Sequence, residues 1–167
     1  MKENKKMKPT IKRIGGYLHK IVEIKDSSGK IIQTVVSPFM VELRPKDILQ
    51  IIVGATILAI PVGLTEETWI LAQQLKISSV AWLGVLSIIF IAMFVYFNFY
   101  RFHIKGYFWQ YIKRVIATYG LSLIVVGVLL TIIEKCPWDT NSLLAIKRII
   151  ITTLPASMAA TLSDTMK

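Results

Sequence analysis

Residues 77–100 read ISSVAWLGVLSIIFIAMFVYFNFY, 24 positions without one charged side chain. At about 1.5 Å per residue, a helix of that length reaches roughly 36 Å, more than the ~30 Å hydrocarbon core of a bilayer. Inside such a medium every backbone N–H and C=O needs an internal partner, which a helix provides and an open strand does not. The segment is therefore read as a membrane-spanning helix, and it decides the class of the protein. Two more uncharged runs lie on either side, Ile48–Thr65 with 18 residues and Val115–Ile133 with 19. A fourth, Ile149–Ser163, has 15 and reaches a full crossing only by starting near Ser142, which takes in Lys147 and Arg148. Near a helix end a cation costs less than the about 2.5 to 3.5 kcal/mol of a central charge, because long side chains snorkel. The expected fold is an all-α membrane protein, a four-transmembrane-helix bundle with spans near 47–65, 78–100, 112–133 and 142–163.

Charge orients these spans. Residues 1–47 carry 11 Lys and Arg against five acids, and the connection Arg101–Arg114 adds four cations and no acid. The other side holds Glu66, Glu67, Lys76, Glu134, Lys135, Asp139, Lys147 and Arg148, four acids against four bases. Asp164 and Lys167 cancel, so the whole formal charge of +10 belongs to one face. By the positive-inside rule that face is cytoplasmic, which puts both termini inside and the protein in the cell membrane as a multi-pass chain. The first apolar run starts too deep for a cleavable signal, so the first span is expected to serve as an uncleaved one. Cys136 is the sole cysteine and is expected to be an ordinary thiol.

Ahead of the membrane region, residues 1–16 are expected to be a basic, disordered tail suited to an anionic leaflet. Residues 17–43 read as a cytoplasmic β-hairpin module: a β-rich run from Leu18 to Ile24, a polar break at residues 25–30, and a second run from Ile31 to Val36. Phe39–Leu43 could add a third strand. A lone hairpin is marginal in water and needs something to pack on, such as a neighbouring subunit. The membrane domain then occupies residues 44–167, opened by Arg44-Pro45-Lys46-Asp47 with proline in the first helical turn, where its missing N–H has no intrahelical partner.

Two constellations could carry a function. Thr153, Ser157 and Thr161 recur at helical spacing in the fourth span, with Asp164 one turn on. Hydroxyls can replace part of an ion's hydration shell, so these four are a candidate pathway, while the same small residues also suit plain helix packing. Glu66, Glu67, Glu134, Lys147 and Arg148 form a candidate outer charge cluster, either a clasp of carboxylates on half-buried cations or an entry site gated by that pairing. Ala55, Ala59 and Gly63 on the first span, and Gly120 and Gly127 on the third, are expected points of close helix approach.

The aromatic residues between Phe90 and Tyr111 thicken toward the basic face, and Arg101, Lys105, Trp109, Lys113 and Arg114 are read as a lipid interface. Aromatic and basic residues together also suit nucleic acid, but a 14-residue connector tethered between two spans belongs to the headgroups, so no nucleic acid partner is expected. Catalytic signatures are weak. His19 and His103 have no metal-ligand spacing, Ser157 has no histidine at membrane depth, and no glycine-rich phosphate loop is present. Neither an enzyme, a metal nor a cofactor is expected.

Leu43-Arg44-Pro45-Lys46-Asp47, Thr65-Glu66-Glu67, Tyr96-Phe97-Asn98-Phe99-Tyr100-Arg101, Pro137-Trp138, Lys147-Arg148 and Pro155-Ala156-Ser157 together resemble a family of prokaryotic integral membrane proteins of unassigned function, over roughly residues 40–165. The resemblance implies a small multi-span protein and brings no catalytic residues. Two functional expectations follow from the residues themselves. One is a homo-oligomeric ion channel or small-solute transporter. The other is a non-transporting adaptor or regulatory subunit that presents the basic module to a protein or to anionic lipid.

Overall fold

The computed structural model describes residues 10–25, 31–39, 42–101 and 104–166, and the chain divides into two compact units, Met1–Glu42 and Leu43–Lys167. The first unit is a three-stranded antiparallel sheet in the order β1-β2-β3, with β1 Thr10–Ile14, β2 Tyr17–Lys25 and β3 Ile31–Pro38. Gly15 (φ 59°) and Gly16 (φ 87°) make the two-residue turn from β1 to β2, a pair of positive φ values that matches the twist of the strands it joins. Thr10 faces Ile21 and Ile14 faces Tyr17 in the first ladder, while Ile21 faces Val36 in the second. Glu42 ties the unit together, accepting from Arg13 at 2.5 Å and from the Leu18 N–H at 3.0 Å.

The extra strand lies where a disordered tail was predicted. Thr10-Ile-Lys-Arg-Ile14 shows no apolar alternation, with its two isoleucines three apart and all five residues exposed, and Gly15-Gly16 is the turn signal that its basic composition hides. Phe39, by contrast, lies beyond β3 and is buried, its N–H bonded to the Leu18 carbonyl. The predicted disorder of residues 1–9 and the predicted turn at 26–30 lie outside the described residues.

The second unit is helical: α1 Pro45–Gly63, α2 Glu66–Gln74, α3 Ile77–Val95 running into a π-helical turn Tyr96–Tyr100, α4 Ile104–Ile132 and α5 Ser142–Thr165. Four helices are long and apolar enough to cross a membrane, over Pro45–Gly63, Ile77–Tyr100, Gly106–Ile132 and Ser142–Thr165. The third starts earlier than the predicted 112, and its backbone leaves helical geometry at Tyr107 (φ −133°, ψ 25°). Helix α5 sits at the centre, packed against α1, α3 and α4, with α2 across its beginning. Its contact with α1 is the closest in the bundle: a Cβ built on Gly54 would stand 2.5 Å from the Ser163 Cβ and 2.8 Å from both the Ala159 carbonyl oxygen and the Ala160 Cα. Ala55, Ala59 and Gly63 are buried along the same side of α1, as their spacing predicted. Gly120 is not a contact point, with nothing within 4 Å of a Cβ placed there, and Gly127 meets only Ile149 at an ordinary 3.7 Å.

Helix α2 was not anticipated, because an amphipathic nine-residue helix has too little apolar surface to show among the spans. Thr65 precedes Glu66 and Glu67, carboxylates that favour a helix N-terminus. The Trp69 indole N–H donates to the Gly63 carbonyl at 3.0 Å, which ties α2 to the end of α1.

Candidate functional site

Three helices each deliver an ionisable side chain to one point near the end of the bundle where α1 begins and α5 finishes. Asp47 is the third residue of α1, and its carboxylate accepts the Arg44 N–H at 3.1 Å, holding the first turn. Asp164 lies in the last turn of α5. Arg114, on α4, reaches both: its Nε donates to Asp164 Oδ2 at 2.8 Å, and its Nη2 to Asp164 Oδ1 at 2.7 Å and to Asp47 Oδ2 at 3.2 Å. The two bonds to Asp164 make the fork-on-carboxylate geometry that only a guanidinium supplies. The Arg114 side chain is 0% exposed and those of Asp47 and Asp164 are 2% and 1% exposed.

The surroundings are aromatic and polar. Phe99 lies under the guanidinium, with the Arg114 Cζ 4.0 Å from its ring centre. Tyr100, wholly buried at the end of the π turn, shares a hydrogen bond with Arg114. Its ring meets Tyr111 edge-on at 5.3 Å, and the Tyr111 hydroxyl donates to the Ala92 carbonyl at 3.1 Å. From the cluster inward, α4 continues with Thr118 and Ser122, each wholly buried and each bonded to the carbonyl four residues earlier. The stripe then turns apolar at Val126 and Leu130.

The helix dipoles act on the two carboxylates in opposite senses. An aspartate in the first turn of α1 is favoured by the helix dipole, whereas one in the last turn of α5 is opposed by it, each by about 0.3 to 1 kcal/mol. Arg114 offsets the second and shares itself with the first. Two carboxylates thus share one guanidinium, with all three side chains buried.

Sequence reasoning placed these residues differently. Arg114, expected at the lipid interface, is instead sealed inside the helical unit, where it pairs with two carboxylates. Arg101, Trp109 and Lys113 are exposed, with the Lys113 ammonium 5.9 Å from the Trp109 ring centre. The Lys105 side chain lies outside the described residues. Thr153, Ser157 and Thr161 are 0%, 0% and 3% exposed. Their hydroxyls donate to carbonyls of their own helix, at Ile149, Leu154 and Ser157, so they lie within the packed body of one chain. Asp47 was missed altogether, since a single acid beside a run of basic residues reads as a helix cap and nothing more. The signal that could have found the site is three ionisable residues, each within one turn of an uncharged run and all on the same face by charge count.

The predicted outer residues do not converge. Lys147 donates to the Leu75 carbonyl and Arg148 to the Lys135 carbonyl, both at 2.6 Å, so backbone oxygens take the place expected for Glu66, Glu67 and Glu134. Those three acids are exposed, and among the described residues no recorded ion pair joins them to either cation. Lys135 instead sits over the Trp69 ring at 4.1 Å. In the same loop Cys136 is buried, and burial pushes its thiol above the ordinary range against the smaller opposing pull of Thr131 and Arg148.

Residues 22–163 match the family described as "Putative integral membrane protein (DUF2391)", and the chain belongs to that family. The matched stretch takes in the first three spans, the fourth as far as Ser163, the second half of β2 and all of β3, so it extends further toward the N-terminus than the motifs indicated. No curated protein and no solved structure matches the chain.

Proposed function

From membership of this integral membrane family, we propose that the protein moves an ion or small solute across the cell membrane, with the Asp47–Arg114–Asp164 cluster as its charge-bearing switch. The observation that carries this reading is the second carboxylate. A purely structural tie between α4 and α5 needs one aspartate, yet Arg114 is shared between Asp164 on α5 and Asp47 on α1. Removing charges from water costs several kcal/mol per ion, and ionisable groups at membrane depth commonly serve translocation. One cation with two partners on different helices has two discrete arrangements, and a proton or cation arriving at the freed carboxylate biases one of them. The buried Thr118 and Ser122 extend polar character inward from the cluster and stop at Val126, so a substrate would have to wait for α4 and α5 to part.

By the positive-inside rule the cluster lies at the cytoplasmic side, with Arg101, Trp109 and Lys113 at the headgroups of an anionic leaflet and both termini inside. The adaptor reading draws support from the N-terminal sheet, whose outer strands are exposed over Thr10–Ile14 and Ile31–Val36. Purified protein in liposomes separates the two. Under imposed pH gradients and membrane potentials the wild type should pass ions that Asp164→Asn does not pass, at equal insertion. Absence of flux in the wild type under every gradient would refute transport.

A further inference from the structure

The sheet has two edges of opposite character. On β1 the edge carries exposed Lys12 and Arg13 and follows a lysine-rich tail, the charges by which natural sheets keep other strands away. On β3 the edge reads Ile31-Ile-Gln-Thr-Val-Val-Ser-Pro38 and has no charge at all. Ile31, Ile32, Val35 and Val36 are 50%, 67%, 41% and 49% exposed, and Gln33 and Thr34 are exposed between them. In an antiparallel pair alternate residues turn their N–H and C=O groups away from the partner, so β3 offers a row of them beyond its ladder to β2.

We infer that β3 pairs antiparallel with β3 of a second copy of the chain, joining two three-stranded sheets into one of six strands. Charge selects this partner. A chain with a formal charge of +10 repels its own copy over most surfaces, and like charges placed opposite each other destabilise a ladder. An uncharged strand meeting itself has no such term. A two-fold axis normal to the sheet sets one residue against its own copy. The ladder to β2 shifts register between the Ile24–Gln33 and Lys25–Ile31 pairs, leaving Ile32 unmatched, and Pro38 has no N–H, so the regular donors of β3 run from Gln33 to Ser37 and the ladder is longest with their midpoint, Val35, on the axis. That register sets Val35 against Val35, Thr34 against Val36 and Gln33 against Ser37. Pairs of β-branched residues such as these stabilise antiparallel sheets. The inference is independent of the transport reading, because it concerns association and not flux.

Full-length protein in nanodiscs large enough for two copies, carrying Cys136→Ala throughout, provides the test. Directly opposed residues stand about 4.5 to 5.5 Å apart at Cα, within disulfide reach. Mild copper oxidation should therefore convert Val35→Cys to a covalent dimer at least five-fold faster than Lys12→Cys on the charged edge. Gln33→Lys, added to the Val35→Cys chain, should abolish that advantage while the melting temperature stays within two degrees. Equal rates for Val35→Cys and Lys12→Cys would overturn the inference, as would dimer formation unaffected by Gln33→Lys. Cross-linking of the Val35→Cys variant to a thiol-reactive phospholipid in preference to its own copy would also overturn it, because the edge would then face lipid.

Discussion

Replacing Gly54 by alanine adds one methyl group where α1 and α5 are closest, and the geometry fixes what it meets. The new carbon would lie 2.5 Å from the Ser163 Cβ and 2.8 Å from the Ala159 oxygen and the Ala160 Cα. Carbon atoms pack at about 3.5 to 4.0 Å, so the two helices must separate by roughly 1 Å, and two of the three obstructing atoms are backbone. Overpacking of this kind costs about 1 to 3 kcal/mol. For a chain of this size each kcal/mol lowers the melting temperature by about 2 to 4 °C, which gives a loss of about 2 to 12 °C. Separation also pulls Asp47 and Asp164 apart across Arg114, so the Asp47 bond, already the longest at 3.2 Å, should break first. Gly120→Ala is the matched control: nothing stands within 4 Å of its new carbon, and alanine's better helix propensity should leave stability equal or higher. Fluorescence-detected thermal unfolding in detergent reads both variants. A Gly54→Ala melting temperature equal to or above the Gly120→Ala value would refute the argument.

Arg114→Gln should be the most damaging single change in the cluster, because it strands two buried carboxylates. At about 3 to 5 kcal/mol for a broken buried pair, it should lower the melting temperature by about 6 to 20 °C, with partial recovery when Asp164→Asn is added in the same chain. Thr153→Val should change stability by less than about 1.5 kcal/mol and leave flux intact, since its hydroxyl only serves the Ile149 carbonyl; lost flux in a stable variant would restore it to a pathway. Burial raises the Cys136 thiol, so less thiolate exists at neutral pH than for a free cysteine. Its labelling by a maleimide should thus be slower and should keep rising with pH after a free cysteine has reached its plateau, measured by mass shift against time.

The spans were legible because an uncharged run of 18 to 24 residues has one structural outcome in a bilayer. Their pairing was not, since lipid-facing and helix-facing side chains are both apolar: Val53 and Ile57 on α1 are 58% and 61% exposed, while Ile51 on the same helix is fully buried. Charge counting placed Arg114 with its exposed neighbour Lys113, because proximity in sequence says nothing about the helical face. One residue turns the side chain by about 100° and converts a headgroup cation into a buried one. The hydroxyls of Thr153, Ser157 and Thr161 were found by their spacing, but their spacing fits conduction and packing alike. What the structure adds is their burial within the helical unit.

The π turn has a consequence for phase. Along α3 the buried positions run Val80, Gly84, Ser87, Ile91 and Val95, in steps of three and four, and the next is Tyr100, a step of five. An uninterrupted α-helix would have brought Phe99 round to that side, a ring with no hydroxyl. The wider turn holds one residue more than an α-turn and so rewinds everything after it. Deleting any one residue between Tyr96 and Phe99 would leave Tyr100 four positions after Val95, so a regular α-turn would carry the same phenol to the guanidinium. The wide turn thus absorbs a single extra residue and keeps the polar partner of Arg114 on its side of the helix.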